Sequence, residues 1–116
     1  MKDDRLYLIH IAECLSRVQQ YTATGKQVFL KETLVQDAVI RNLQILSEST
    51  QRLSSELKTK YGDVDWRGMA AFRNLLVHNY FGINLERVWQ IIEQGVPTLQ
   101  LKINAILAEL GSAGGK

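Results

Sequence analysis

The chain has 116 residues, 46% hydrophobic and 22% charged, with a formal charge of +2. That length is one domain, long enough to bury a core without staples, and the composition excludes a disordered body. So small an excess of charge, spread among acidic residues, excludes a bulk electrostatic binder; a polyanion would have to be held by a few placed cations.

Helical periodicity runs through almost the whole chain. Leu8, Ile11, Leu15 and Val18 recur at steps of three and four, flanked by Leu6, Ile9 and Ala12. Asp3 and Asp4 supply the acidic start that a helix N-terminus favours, and Tyr21–Gly25 breaks the pattern. A first helix is predicted over about residues 4–20. Gln27–Leu30 reads as a short extended approach. The longest run, Lys31–Lys60, is predicted as one helix with Leu34, Val35, Ala38, Val39, Asn42, Ile45 and Leu46 on a face, followed by Leu53 and Leu57. Ser47, Ser49 and Thr50 would permit a bend in its middle, and Gly62 suits its C′ position.

Asp63 or Asp65 can cap the next helix, which carries Trp66, Met69, Phe72, Leu75 and Leu76 and runs to about Tyr80, with Gly82 ending it. Asn84 caps a fourth helix over Leu85–Glu93. Gly95-Val96-Pro97 punctuates it, and Leu99, Leu101, Ile103, Ile106, Leu107 and Leu110 carry a last helix that also reads as the second part of one interrupted unit. The expected fold is an all-α bundle of four main helices plus a short interrupted C-terminal helix, a single domain over 1–110 with a flexible tail at 111–116.

A single cysteine, Cys14, excludes an internal disulfide and a cysteine-based zinc site, and its apolar neighbours predict a buried, inert thiol. The N-terminus lacks the apolar run of a signal peptide, and no segment approaches the ~20 apolar residues of a membrane span, so a soluble cytoplasmic protein without a membrane partner is expected.

The stretch RNLLVHNY, Arg73–Tyr80, places strong hydrogen-bonding groups inside a helix that otherwise reads as core. On an α-helix Asn74 and His78 stack one turn apart, while Arg73, Val77 and Tyr80 form a second face. Arg73 and His78 stand five apart, ~140° and ~7.5 Å of rise, and so flank a groove without pointing the same way. Arginine is a planar fork suited to phosphate oxygens, and histidine exchanges a proton near neutral pH. With no second histidine or clustered carboxylates beside them, a transition-metal site is not expected. The residue types suit metal-free phosphodiester chemistry, but a structural histidine and a solvated arginine fit the same spacing.

The string Arg73-Asn74-Leu75-Leu76-Val77-His78-Asn79-Tyr80 resembles the R-x4-H-x-Y signature of the HEPN superfamily, in its HepT-like branch (DUF86). The lead-in Val64–Met69, the follow-on Tyr80–Asn84, Val88-Trp89 and Val96–Leu99, and the stretch Ala38–Ser49 resemble the same family, so the resemblance covers about residues 4–108. Two letters of R-x4-H would be weak; the longer context makes it specific.

The resemblance implies an all-helical homodimer acting as the toxin of a two-gene toxin–antitoxin module. It would cleave RNA without metal or cofactor at a cleft where two R-x4-H motifs meet. His78 would be the acid–base group, Arg73 would stabilise the phosphorane-like charge, and Asn74 would orient His78 or the RNA backbone. The RNA would be mRNA or tRNA, with no DNA partner. The implied antitoxin is a minimal nucleotidyltransferase (MNT) that transfers AMP to the motif tyrosine, Tyr80; an aromatic packing on Phe81 is the alternative for that residue. Glu48 falls at the family's glutamate position and would either pair with a cation near the cleft or stay solvated. His10 reads as a partly buried structural imidazole, and Trp66 and Trp89 as core. The alternative functions are a non-catalytic nucleotide- or substrate-binding subunit of a nucleotidyltransferase and a purely structural helical dimer.

Overall fold

A computed structural model describes residues 2–69, 73 and 82–114. Its elements are α1 (Lys2–Tyr21), α2 (Lys26–Lys31), α3 (Thr33–Gln51), α4 (Ser55–Lys60), a helical turn over 66–69, and α5 (Leu85–Gly114). No strand occurs among the described residues, so the chain is the all-α bundle expected. α1 packs chiefly on α3 and then on α5, with α2 lying across α3 and α5.

The core follows from the periodicity of α1. Leu8, Ile11, Leu15 and Val18 are all 0% exposed, and burying each is worth roughly 2 kcal/mol at the upper bound. α3 answers with Val39, Leu43, Leu46 and Thr50, at steps of four, three and four. Thr50 is tolerated there because its hydroxyl donates to the Leu46 carbonyl at 2.9 Å, as Ser47 does to Leu43 at 2.9 Å. Asn42 likewise donates to the Ala38 carbonyl at 2.9 Å, which meets the cost of burying its amide. Leu34, expected on the core face, is 81% exposed. It lies five positions before Val39, ~140° round the helix, and Leu43 occupies the stripe instead.

Further expectations are corrected. Gln27–Leu30 is helical within α2, not extended. Gly25, at φ +100°, turns the chain in a region open to glycine, and Phe29 is fully buried with its ring 5.6 Å from that of Trp89. Burial of Phe29 outweighs the strand preference of Val28 and Phe29. Glu32, extended at φ −93°, then ends α2 and begins α3, and the Gln36 side chain donates to the freed Phe29 carbonyl at 2.9 Å.

The single run expected over 31–60 is two helices. Its break lies at Arg52–Ser54, not at the bend expected among Ser47–Thr50. Ser54 caps α4 by accepting the Leu57 N–H at 3.1 Å. Asp4 accepts the Ser54 N–H at 2.8 Å and the Ser54 hydroxyl at 2.6 Å. The acidic residue read as a helix-dipole partner of α1 thus fastens the start of α4. Gly62 does not adopt the left-handed C′ conformation; Gly25 alone among the described residues has positive φ.

α5 settles the last ambiguity, because it is one helix with Pro97 inside it. Asn84 caps it as expected, accepting the Arg87 N–H at 3.1 Å. Pro97 removes the bond to the Glu93 carbonyl, on an exposed part of the helix. Val88, Ile92 and Val96 before it and Ile103 and Ile106 after it are all buried in one core, which supports both halves of the helix. Its 30 residues, ~45 Å at ~1.5 Å each, match the molecule's longest dimension of 47 Å. The helix continues through Gly111 to Gly114, past the boundary expected at residue 110.

Candidate functional site

Of the motif residues, Arg73 is described and Asn74, His78 and Tyr80 lie outside the described residues. Arg73 is helical and half-buried. Its Nε is buried and has no hydrogen-bond partner among the described residues. A buried guanidinium N–H without an acceptor costs free energy comparable to the hydrogen bond it lacks. Such a donor suits an anionic oxygen, and arginine presents it within a rigid fork.

The approach to Arg73 is built from local rules. Asp65 caps the 66–69 turn as expected, accepting the Gly68 N–H at 2.9 Å. A Cβ at Gly68 would stand 2.2 Å from the Asp65 carboxylate, so a side chain there would push that carboxylate from its present position. Met69, four positions before Arg73, is buried with its sulfur 4.0 Å from the Thr50 hydroxyl. The 66–69 turn is therefore seated on the last turns of α3.

Glu48 stands on the solvent side of those same turns, exposed, between buried Ser47 and Ser49. It forms no ion pair among the described residues. His10 is half-buried on α1, its ring 6.4 Å from that of Tyr7 in an edge-on arrangement at 76°. Cys14 is 2% exposed, and burial pushes its thiol above the ordinary range although Arg17 pulls it down. Trp66 and Trp89 both sit at the core margin; the Trp66 indole donates to the Tyr61 carbonyl at 3.0 Å.

A cleft of about 700 Å³ opens beside the 63–69 segment. Leu15, Leu43 and Leu46 reach its floor, and Asp63, Arg87 and Lys102 are at its walls. No spacing in the sequence announces it, because its lining comes from four separate segments. The turn between α4 and 66–69 is also fixed to α5. Lys102 donates to the Asp63 carbonyl at 2.6 Å, and the Tyr61 hydroxyl donates to the Glu109 carboxylate. That hydrogen bond to Glu109 raises the phenol's pKa above its ordinary value. Among the described residues no three His, Cys, Asp or Glu side chains cluster as metal ligands, and no helix is long and apolar enough to cross a membrane.

Comparison with known proteins bears on this arrangement directly. The family model for HepT-like ribonucleases matches residues 11–106, which include the whole of Arg73–Tyr80. A Methanocaldococcus jannaschii protein named "Gamma-glutamylcyclotransferase and putative RNase" is 34% identical over 94% of this chain, which spans 50% of that relative. A "Putative RNase" of the same organism is 36% identical over 94% of this chain and 91% of its own length. "Probable ribonuclease HepT" of Thermococcus cleftensis is 31% identical over 86% of this chain and 92% of its own. No solved structure matches. Nearly full-length similarity to relatives of the same size, with the family match running through the arginine–histidine motif, assigns the chain: it belongs to the HepT-like ribonuclease family.

Proposed function

We propose that this protein is a metal-independent endoribonuclease that cuts RNA at a cleft built from two copies of Arg73–Tyr80 in a homodimer. The observation that carries the reading is the family match across residues 11–106, which spans the motif. The Arg73 Nε, which has no hydrogen-bond partner among the described residues, supports it, since a guanidinium is a fork suited to phosphate oxygens.

In this reading the ribose 2′-oxygen attacks the adjacent phosphorus, the P–O5′ bond breaks, and a 2′,3′-cyclic phosphate and a 5′-hydroxyl result. His78 takes the 2′-hydroxyl proton or returns one to the departing 5′-oxygen, and the two copies in the dimer provide for both roles. Arg73 stabilises the charge that accumulates on the phosphorane oxygens. Asn74, four positions before His78, orients the imidazole or the RNA backbone. Glu48 lies outside this scheme, solvated on α3.

The module partner is an MNT-type nucleotidyltransferase that transfers AMP from ATP to the Tyr80 hydroxyl: the phenol oxygen bonds to the α-phosphorus and loses its proton, and pyrophosphate leaves. An added nucleotide brings bulk and negative charge beside Arg73 and His78, which excludes RNA phosphate. The test is cleavage of single-stranded RNA in EDTA by wild type, His78→Ala and Arg73→Gln. Wild type is expected to yield cyclic-phosphate ends, with kcat reduced about a hundredfold or more in each variant. Wild type that binds nucleotide but leaves RNA intact would make the chain a binding subunit instead. Mass spectrometry of the protein co-expressed with its nucleotidyltransferase tests the tyrosine; an unmodified Tyr80 in a neutralised complex refutes that part.

A further inference from the structure

The side of α3 that points away from the core carries an ordered row of charge. At ~100° per residue, Leu34, Asp37, Arg41, Ile45, Glu48 and Arg52 fall within ~80° of one another, opposite the buried stripe of Val39, Leu43, Leu46 and Thr50. Arg52, the C-cap, keeps helical backbone angles at φ −88° and ψ −6°, so it continues the row. The four charged residues are exposed, Ile45 is half-buried and Leu34 is 81% exposed. Asp37 with Arg41, and Glu48 with Arg52, stand four apart, the spacing at which an acid and a base on one helix can meet. None of the four forms an ion pair among the described residues. Two acids and two bases leave the row neutral, so it is not built to meet a polyanion such as RNA.

The order of the charges is symmetric in a particular way. At ~1.5 Å per residue, Asp37 and Arg52 lie ~11 Å on either side of the midpoint between Gln44 and Ile45, and Arg41 and Glu48 lie ~5 Å on either side. Each acid is thus mirrored by a base. A second α3 laid antiparallel across that midpoint sets Asp37 against the copy's Arg52 and Arg41 against the copy's Glu48, and the two-fold axis repeats both pairs. Other alignments fail on charge. Sliding the copy by one turn sets Arg41 against Arg52 in one direction and Asp37 against Glu48 in the other, and a parallel copy in register sets every charge against its like. Ile45 lies beside the axis and Leu34 beyond the outer pairs, which puts apolar contact at the centre and ends of the row.

We infer that this face of α3 is a self-association surface, on which a second copy of the chain docks antiparallel in the one register that pairs every charge. The interface is separate from the cleft proposed above. Thr50, against which the 66–69 turn is seated, is ~200° round the helix from Glu48, so the row points away from that turn. Charge order fixes the register of such a contact, and its exposed ion pairs make it sensitive to salt.

The experiment is sedimentation velocity of the full chain over a concentration series, because one helix face is a small contact and its association is weak. Arg41→Glu sets a glutamate against the copy's Glu48, and Glu48→Arg sets an arginine against the copy's Arg41. Either change alone should weaken association roughly ten- to a hundredfold. At a concentration where wild type is associated, each single variant should therefore sediment at half its mass. The exchange Arg41→Glu/Glu48→Arg restores every pair and should return the wild-type mass, and added salt should dissociate both. Single variants that associate as wild type does would overturn the inference, as would a folded exchange variant that stays apart. Wild type that fails to associate at any concentration overturns it too, and leaves the face to solvent or to another protein. Circular dichroism melts check that each variant is folded; where an inner variant melts early, the outer exchange of Asp37→Arg with Arg52→Asp makes the same test. A motif dimer sets only the starting mass, which halves in the single variants either way, so failure here leaves the ribonuclease reading untouched.

Discussion

Asp4 and Ser54 are fifty residues apart in sequence, and three hydrogen bonds meet at them, so removing either should cost more than a surface substitution normally does. Ser54→Ala deletes the cap on the Leu57 N–H at 3.1 Å and the hydroxyl donated to Asp4 at 2.6 Å. A lost serine cap costs about 1 kcal/mol, and a half-buried hydrogen bond to a carboxylate a further ~1.5 kcal/mol. The expected loss is therefore about 2.5 kcal/mol. Asp4→Ala leaves the Ser54 cap in place but removes both acceptors, at 2.8 and 2.6 Å, for about 2 kcal/mol. Each kcal/mol corresponds to roughly 4 °C in Tm for a chain of this size. Both variants should thus melt about 8–10 °C below wild type in a thermal scan followed by circular dichroism. The decisive quantity is the coupling in the double mutant. Because both single variants break the same hydroxyl–carboxylate bond, the double mutant should cost about 1–1.5 kcal/mol less than the sum of the singles. Additivity within ~0.3 kcal/mol would mean that Asp4 and Ser54 stabilise the fold independently, and the clamp would be refuted.

Other outcomes follow from single environments. Phe29→Ala should cost about 3–4 kcal/mol in urea unfolding, because Phe29 is fully buried, whereas Leu34→Gln, at an exposed position, should stay within about 0.5 kcal/mol. Cys14, buried and with its thiol raised by burial, should react with a disulfide reagent at neutral pH far more slowly in native protein than in guanidinium, and a fast native reaction would contradict that placement. The Tyr61 phenol is raised by its hydrogen bond to Glu109. A raised folded pKa makes the link complete below the ordinary tyrosine range and lost as pH climbs through the raised value. A 295 nm titration should therefore show one late tyrosine that Tyr61→Phe removes.

The parts of the fold legible in sequence were those set by one helix's own period or by one cap. Leu8, Ile11, Leu15 and Val18 announced the inner face of α1, and Asp65 and Asn84 acted as the caps their positions suggested. Two of the misreadings involve a partner distant in sequence. Phe29 is helical because Trp89 lies sixty residues on, and α4 begins where it does because Asp4 reaches Ser54. For the site, the motif string was legible as text and its family match followed, while the burial of the Arg73 Nε, without a partner among the described residues, is a property of packing that no spacing encodes.

Pro97 gives α5 a different character from α1 and α3. Its backbone ladder lacks one rung, so the continuity of the rod comes from the core beneath it, through Val96 on one side and Ile103 on the other. A peptide of residues 85–114 removed from the protein would have no such core, and should relax into the two shorter helices that its sequence describes. In the intact protein, the continuity of the helix across Pro97 is thus a report on tertiary order. Amide exchange near Pro97 should speed up as soon as the core loosens, before either half of the helix unwinds.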